Sequence, residues 1–262
     1  MLEAWGTVPA GEVVASTVDA FGRVIALYAD GGLLVDGTSC GRVAEPGRHP
    51  MIDASGDGFV LANSRCRIRP GAEAPRNGRI LDGAGQVVTA FHAGDGIEEV
   101  VTGPTGEIWI SYFDEASILD GGLRSHPGLI RWTAAGEPAW RVRHDPGLYW
   151  MDCYALNVGE RRTWAVPYPE VPLVEVGADG LRSVRASPVR SVLGVAVSGA
   201  DALFLLHHGG EFSTRTARLR DDEVVADDPR PLVAPGGWTG RRVSRGDRMW
   251  LQFGDTWYVL GL

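Results

Sequence analysis

Apolar positions along this chain come in short runs, not in the three-four spacing of an amphipathic helix, and glycines punctuate the runs. Six times an apolar run, a tight glycine turn and a second apolar run follow one another. The units are Val14–Tyr28 turning at Gly22, Met51–Ala62 at Gly58 and Ile97–Phe113 at Gly106, then Cys153–Val166 at Gly159, Leu193–Leu206 at Gly199 and Thr239–Phe253 at Gly246. Short apolar runs bounded by glycine read as strands, and two of them across one glycine as a hairpin. The turn glycines lie 36, 48, 53, 40 and 47 residues apart. An irregular period of that size suits a sheet of about four strands per repeat.

A second hairpin recurs behind the first. Ile80–Val87, Ile130–Glu137 and Val174–Leu181 each give a strand, a glycine-bearing turn and the start of an outer strand. Two hairpins per repeat predict an all-β chain, a six-bladed β-propeller forming a single domain over residues 1–262. The last unit runs out at Asp255–Leu262 with one strand missing, and Leu2–Val8 resembles the outer strand Glu137–Val142. The N-terminal strand is therefore expected to close the propeller and leave no open blade.

Charge narrows the partners. A net charge of −8 argues against nucleic acid and against an anionic membrane, both of which need a basic surface. All 25 basic residues are Arg, which excludes lysine-centred chemistry. No stretch has the length and apolarity of a membrane span, and Met1 leads into Leu2-Glu3-Ala4-Trp5 without a basic and apolar leader. The three cysteines, Cys40, Cys66 and Cys153, are odd in number and widely spaced, so no disulfide framework is expected and a reducing cytoplasm is the expected location.

Propeller topology sorts the loops by rim. Tight turns such as those at Gly106, Gly159 and Gly199 share one rim. The long connections Arg65–Asn77, His92–Gly96, Asp114–Pro127, Arg143–Trp150 and Asp227–Trp238 fall on the other, where binding and catalysis usually sit. That rim gathers the candidate residues. Asp114 with Glu115, Asp152 and His207 are candidates for acid–base chemistry, since close carboxylates push their pKa values apart. Tyr112, Trp150, Tyr168, Trp238 and Arg65 are candidates for holding a ligand, Arg65 alternating with Arg67 and Arg69 on an extended segment.

Glu107–Glu115 and Asp152–Val158 carry a resemblance to a group of uncharacterised actinobacterial β-propeller proteins, extending over about Asp95–Pro172. More distantly, the Gly106–Asp114 segment and the inner strands are similar to gluconolactonase and regucalcin-like propellers and to strictosidine-synthase-like ones. In the lactonases a divalent cation held by Glu, Asn and Asp polarises the lactone carbonyl and activates water. This chain has Glu98-Glu99-Val100 where they have Asn-Asp-Gly, and Met151-Asp152-Cys153 where they have Pro-Asn-Gly. That pattern departs from the lactonases' and leaves Asp152 with one of Glu98 or Glu99 as the residues expected to hold a hard cation, Ca²⁺ or Mg²⁺, through oxygen. The expected function is binding of a small molecule or protein partner at the channel mouth on the long-loop rim. The alternative is an enzyme there, either a metal-assisted hydrolase or an acid–base cyclase or lyase.

Overall fold

A computed structural model describes residues 1–66, 73–114, 128–142, 148 and 150–262, and among these the chain forms strands and turns only. It divides into two compact units, Thr7–His144, and Met1–Gly6 with Asp145–Leu262. The first strand is β1 (Glu3–Thr7). Three antiparallel four-stranded sheets follow. They are β2 (Val13–Val18), β3 (Val24–Tyr28), β4 (Gly32–Val35) and β5 (Thr38–Arg42); β6 (Pro50–Ser55), β7 (Gly58–Asn63), β8 (Gly78–Leu81) and β9 (Val87–Phe91); and β10 (Ile97–Thr102), β11 (Ile108–Tyr112), β12 (Leu129–Trp132) and β13 (Pro138–Arg141).

The other unit holds β14 (Asp152–Val158), β15 (Thr163–Tyr168), β16 (Leu173–Gly177) and β17 (Gly180–Arg185). Next come β18 (Val192–Ser198), β19 (Asp201–His208), β20 (Glu211–Leu219) and β21 (Val224–Ala226), with the short β22 (Arg230–Pro231) also on β20. Its last sheet is β23 (Trp238–Arg245), β24 (Arg248–Phe253) and β25 (Thr256–Gly261), with β1 paired to β25 as fourth strand. The chain is a six-bladed β-propeller closed by its N-terminal strand.

Side-chain alternation explains why the strands read as unbroken apolar runs. Phe59 and Leu61 of β7 enter a core with Ile25, Leu27 and Leu33, while Val60 and Ala62, on the other face, enter a core with Ile97, Ile108 and Trp132. In the second unit β19 does the same, sending Phe204 to the blade before it and Leu203 and Leu205 to the blade after it. A strand covered on both faces has no polar face to show. Each such Leu or Phe side chain contributes roughly 1.5–3 kcal/mol by leaving water. Outer strands lose this cover: β11 is buried throughout, whereas β13 is exposed or half-buried at every position.

Two details depart from the sequence reading. The turn between β6 and β7 is made at Gly56, with φ 58°, while Gly58 opens β7, where a Cβ would stand 2.0 Å from the Leu81 carbonyl oxygen. The first blade also has an outer hairpin, β4–β5 across Asp36 and Gly37, which its weakly apolar outer strand had concealed.

Buried polar side chains stitch neighbouring inner strands. In the first unit Asp53, fully buried, accepts hydrogen bonds from Thr102 N–H at 2.7 Å and Thr102 Oγ1 at 3.1 Å. In the second, Asn157 of β14, also fully buried, donates to the Val195 carbonyl at 2.7 Å and the Gly246 carbonyl at 2.8 Å, and accepts Gly246 N–H at 2.9 Å. Asn157 thereby ties β14, β18 and the β23–β24 turn together at the tight-turn end of these blades. The cysteines form no disulfide; each Sγ lies against a backbone carbonyl, Leu33 for Cys40, Gly94 for Cys66 and Ala155 for Cys153.

Candidate functional site

Residues expected at the site fall in both units. In the first, Arg65 Nε lies 3.3 Å from Asp95 Oδ1, and its guanidinium sits 5.3 Å from the Phe113 ring centroid. Asp95 is buried and also accepts Cys66 N–H at 2.7 Å. Asn77 donates to the carbonyls of Asn63 and Gly94 at 2.9 and 2.8 Å and accepts Ala93 N–H at 3.0 Å. Tyr112 is fully buried, and its hydroxyl donates to the Ala93 carbonyl at 2.5 Å, so it holds the 92–96 loop from within the core. Asp114 is exposed, Glu98 half-buried and Glu99 buried. Glu115 lies outside the described residues, as do Arg67, Arg69 and Tyr149.

The second unit places Asp152 at the start of β14, half-buried and opposite Tyr168 in the ladder. Tyr168 is exposed, its ring 5.3 Å from that of Tyr154. Trp150 is fully buried and packs as a core residue. His207 and Trp238, by contrast, belong to one neighbourhood.

That neighbourhood is a recess of about 580 Å³ on the long-loop side of the fifth and sixth blades. Local sequence builds it in three steps. Gly209 and Gly210, both with positive φ (60° and 85°), turn β19 into β20 as a two-residue hairpin loop. The register then sets Phe212 opposite His207 on one face, with ring centroids 4.5 Å apart. Arg230 and Pro231 pair with Thr214 and Ser213, and Leu232 N–H donates to the Phe212 carbonyl at 2.9 Å, which lays the Pro231–Trp238 run alongside. Finally a bulge between Trp238 and Arg242 lets Trp238 pair with Phe253; bulges commonly re-aim side chains beside functional sites.

The result is an aromatic wall. Phe212, Trp238 and Phe253 have mutual centroid distances of 5.4, 5.7 and 5.3 Å, with Phe212 edge-on to both others. Tyr258 extends the cluster behind Phe253 at 5.9 Å. Leu232, Ala234 and the prolines and glycines of the two loops complete the lining, and Glu211, exposed, is its one charged residue. Of the residues in and beside the recess, the sequence reading named Trp238 and His207 and did not name Phe212, Phe253 or Glu211. Their signal was the alternation of His207 and Phe212 about the Gly-Gly turn, facing the Pro-Leu-Val-Ala-Pro-Gly-Gly-Trp run.

No group of three or more His, Cys, Asp or Glu side chains placed for a metal ion occurs among the described residues. Glu98 and Glu99 lie in one unit and Asp152 in the other. Also among the described residues, no helix is long and apolar enough to cross a membrane.

No family model matches the sequence, and no curated protein matches it. Solved structures do. The chain is similar to the PQQ-bound aldose sugar dehydrogenase of Streptomyces coelicolor, with TM-score 0.54 and 14% identity over 99% of this chain and 97% of that one. It is similar to the virginiamycin B lyase of Staphylococcus aureus, with TM-score 0.51 and 12% identity over 100% and 99%. The β-propeller domain of Cps50 (Swd1) from Myceliophteria thermophila gives TM-score 0.57 and 11% identity over 100% and 89%. These likenesses show a propeller and nothing narrower. Proteins of different descriptions share them, so function has to be argued from the site.

Proposed function

We propose that this chain binds a small organic molecule on its long-loop rim, in the recess walled by Phe212, Trp238 and Phe253. The observation carrying this reading is the recess itself: about 580 Å³, lined by three rings and a few aliphatic side chains, with a single carboxylate. Ligand sites are typically mostly apolar clefts of that size with a few placed polar groups. Trp238 is half-buried, so a ligand that covers it removes apolar area from water. Ligand-observed NMR with a fragment set of monocyclic and bicyclic aromatics tests this. Hits on the wild type should lose at least about tenfold in affinity for Trp238→Ala. Hits indifferent to that change would refute the site.

A second reading, supported by the full-length likeness to a dehydrogenase and a lyase, is that the bound molecule is also transformed. His207, stacked on Phe212, is the candidate proton carrier beside the recess. This favours acid–base chemistry of the lyase or cyclase kind. PQQ, an anionic quinone, does not match a recess whose one charged residue is Glu211. His207→Gln should abolish turnover and spare binding; Asp152→Asn and Asp114→Asn ask the same of the other rim acids. The lactonase resemblance adds a proposal of its own, a divalent cation on Glu98, Glu99 or Asp152, read by calorimetric titration of Ca²⁺ and Mg²⁺ into wild type and Asp152→Asn.

A further inference from the structure

We infer that the recess selects an organic cation, an ammonium group carried on a ring or apolar body, over neutral and anionic molecules of the same shape. The inference rests on the proposed binding site and gives its ligand a charge. Aromatic faces bear negative potential and attract cations, most strongly where water is thinned out. Phe212 stands edge-on to both Trp238 and Phe253, at interplanar angles of 80° and 72°, so the wall presents rings in more than one orientation. Such a wall suits a rounded, weakly hydrated ammonium as well as a flat ring.

The charges agree. Glu211 is the one charged residue lining the recess, and its carboxylate has no hydrogen bond or ion pair with any described residue. The neighbouring basic residues do not line it: Arg215 Nε donates to the Asp227 carbonyl at 2.6 Å, and His207 stacks on Phe212 beside the recess without lining it. Arg242 Nε donates to the Leu193 carbonyl at 2.9 Å, Arg241 Nη1 lies 3.4 Å from Gln252 Oε1, and Arg230 precedes the lining residue Pro231. An anion would meet ring faces and a carboxylate with no donor side chain of opposite charge. The net charge of −8 adds a long-range field of the same preference.

Gly236 makes the test clean. It lines the recess, its φ lies outside the left-handed region, and a Cβ there meets nothing within 4 Å. Gly236→Leu therefore puts a side chain into the recess while leaving all three rings in the sequence. Three probes sharing one phenyl ring would be titrated calorimetrically: phenyltrimethylammonium, its neutral isostere tert-butylbenzene, and benzenesulfonate. The expected order is cation tightest by at least about tenfold over the neutral probe, with the anion weakest. Glu211→Gln should remove most of the cation's advantage and leave tert-butylbenzene unchanged, and Gly236→Leu should block both. Should Gly236→Leu lower the melting temperature, Trp238→Ala serves as the second block. If the neutral or anionic probe binds as tightly as the cation while Gly236→Leu still blocks, the recess stands and the charge preference is overturned. If no probe binds, or binding ignores both blocking variants, the recess and the inference fall together.

Discussion

The Arg65–Asp95–Phe113 corner of the first unit and the Phe212–Trp238–Phe253 recess of the second both set charge beside aromatic rings, and they use them in opposite ways. In the corner the polar groups face one another. Asp95 is buried against Arg65 and the Cys66 amide, Asn77 bridges two carbonyls and an amide, and Tyr112 reaches the Ala93 carbonyl. Removing one partner there leaves a buried group unsatisfied, which is a stability cost. In the recess Phe212 and Trp238 are half-buried against the buried Phe253, and the Glu211 carboxylate is exposed. A rim residue of the right type in the right loop is thus not yet a site residue. What separates the two is whether its interactions are already made within the chain.

Mutations separate the two regions, and the largest effect falls on the recess side. Deleting Leu2–Val8 removes β1 from β25 and takes away Trp5, whose ring meets Trp250 edge-on at 5.7 Å. The blade carrying Phe253 and Tyr258 would then present an open edge, at a cost of several kcal/mol, roughly 3–6. A thermal melt of the truncated chain checks this; an unchanged midpoint would mean that β1 is not what closes the last blade.

Asp95→Ala comes next, with a loss of about 2–3 kcal/mol in denaturant unfolding, because Arg65 and the Cys66 amide lose a buried acceptor. Probe binding in the recess should not change. A loss of binding with little loss of stability would reverse the roles given to the two regions.

Trp238→Ala should cost less stability, about 1–2 kcal/mol for a half-buried ring, yet at least about tenfold in probe affinity. Smallest of all is Glu160→Gln, on the exposed β14–β15 turn, where both stability and binding should hold to within about 0.5 kcal/mol. Any larger effect on binding would move the working face to the tight-turn rim.

Much of the fold was legible because a blade repeats one physical solution. Apolar runs around Gly22, Gly106, Gly199 and Gly246 must be covered on both faces, and a chain that repeats them six times has few ways to do so. The closing strand was legible for the same reason, since a three-stranded last unit leaves an edge to fill. The recess was not. Its wall draws Phe212, Trp238 and Phe253 from three strands, and only the Trp238 bulge and the His207–Phe212 register bring them together. Tyr112 and Trp150 look like ligand-holding aromatics by position in the chain, but both are fully buried: Tyr112 ends β11, which is covered on both faces, and Trp150 is buried just before β14. Asn157 carried no recognisable motif, yet it ties three chain segments together at the tight-turn end.

Soaking crystals with phenyltrimethylammonium and a small set of indole and benzyl fragments tests directly whether the aromatic recess is where this chain meets its ligand. Difference density is expected against Phe212 and Trp238, with the ammonium group turned toward Glu211. Density that leaves the recess empty and gathers instead around Asp114, Asp152 or Tyr168 would contradict it.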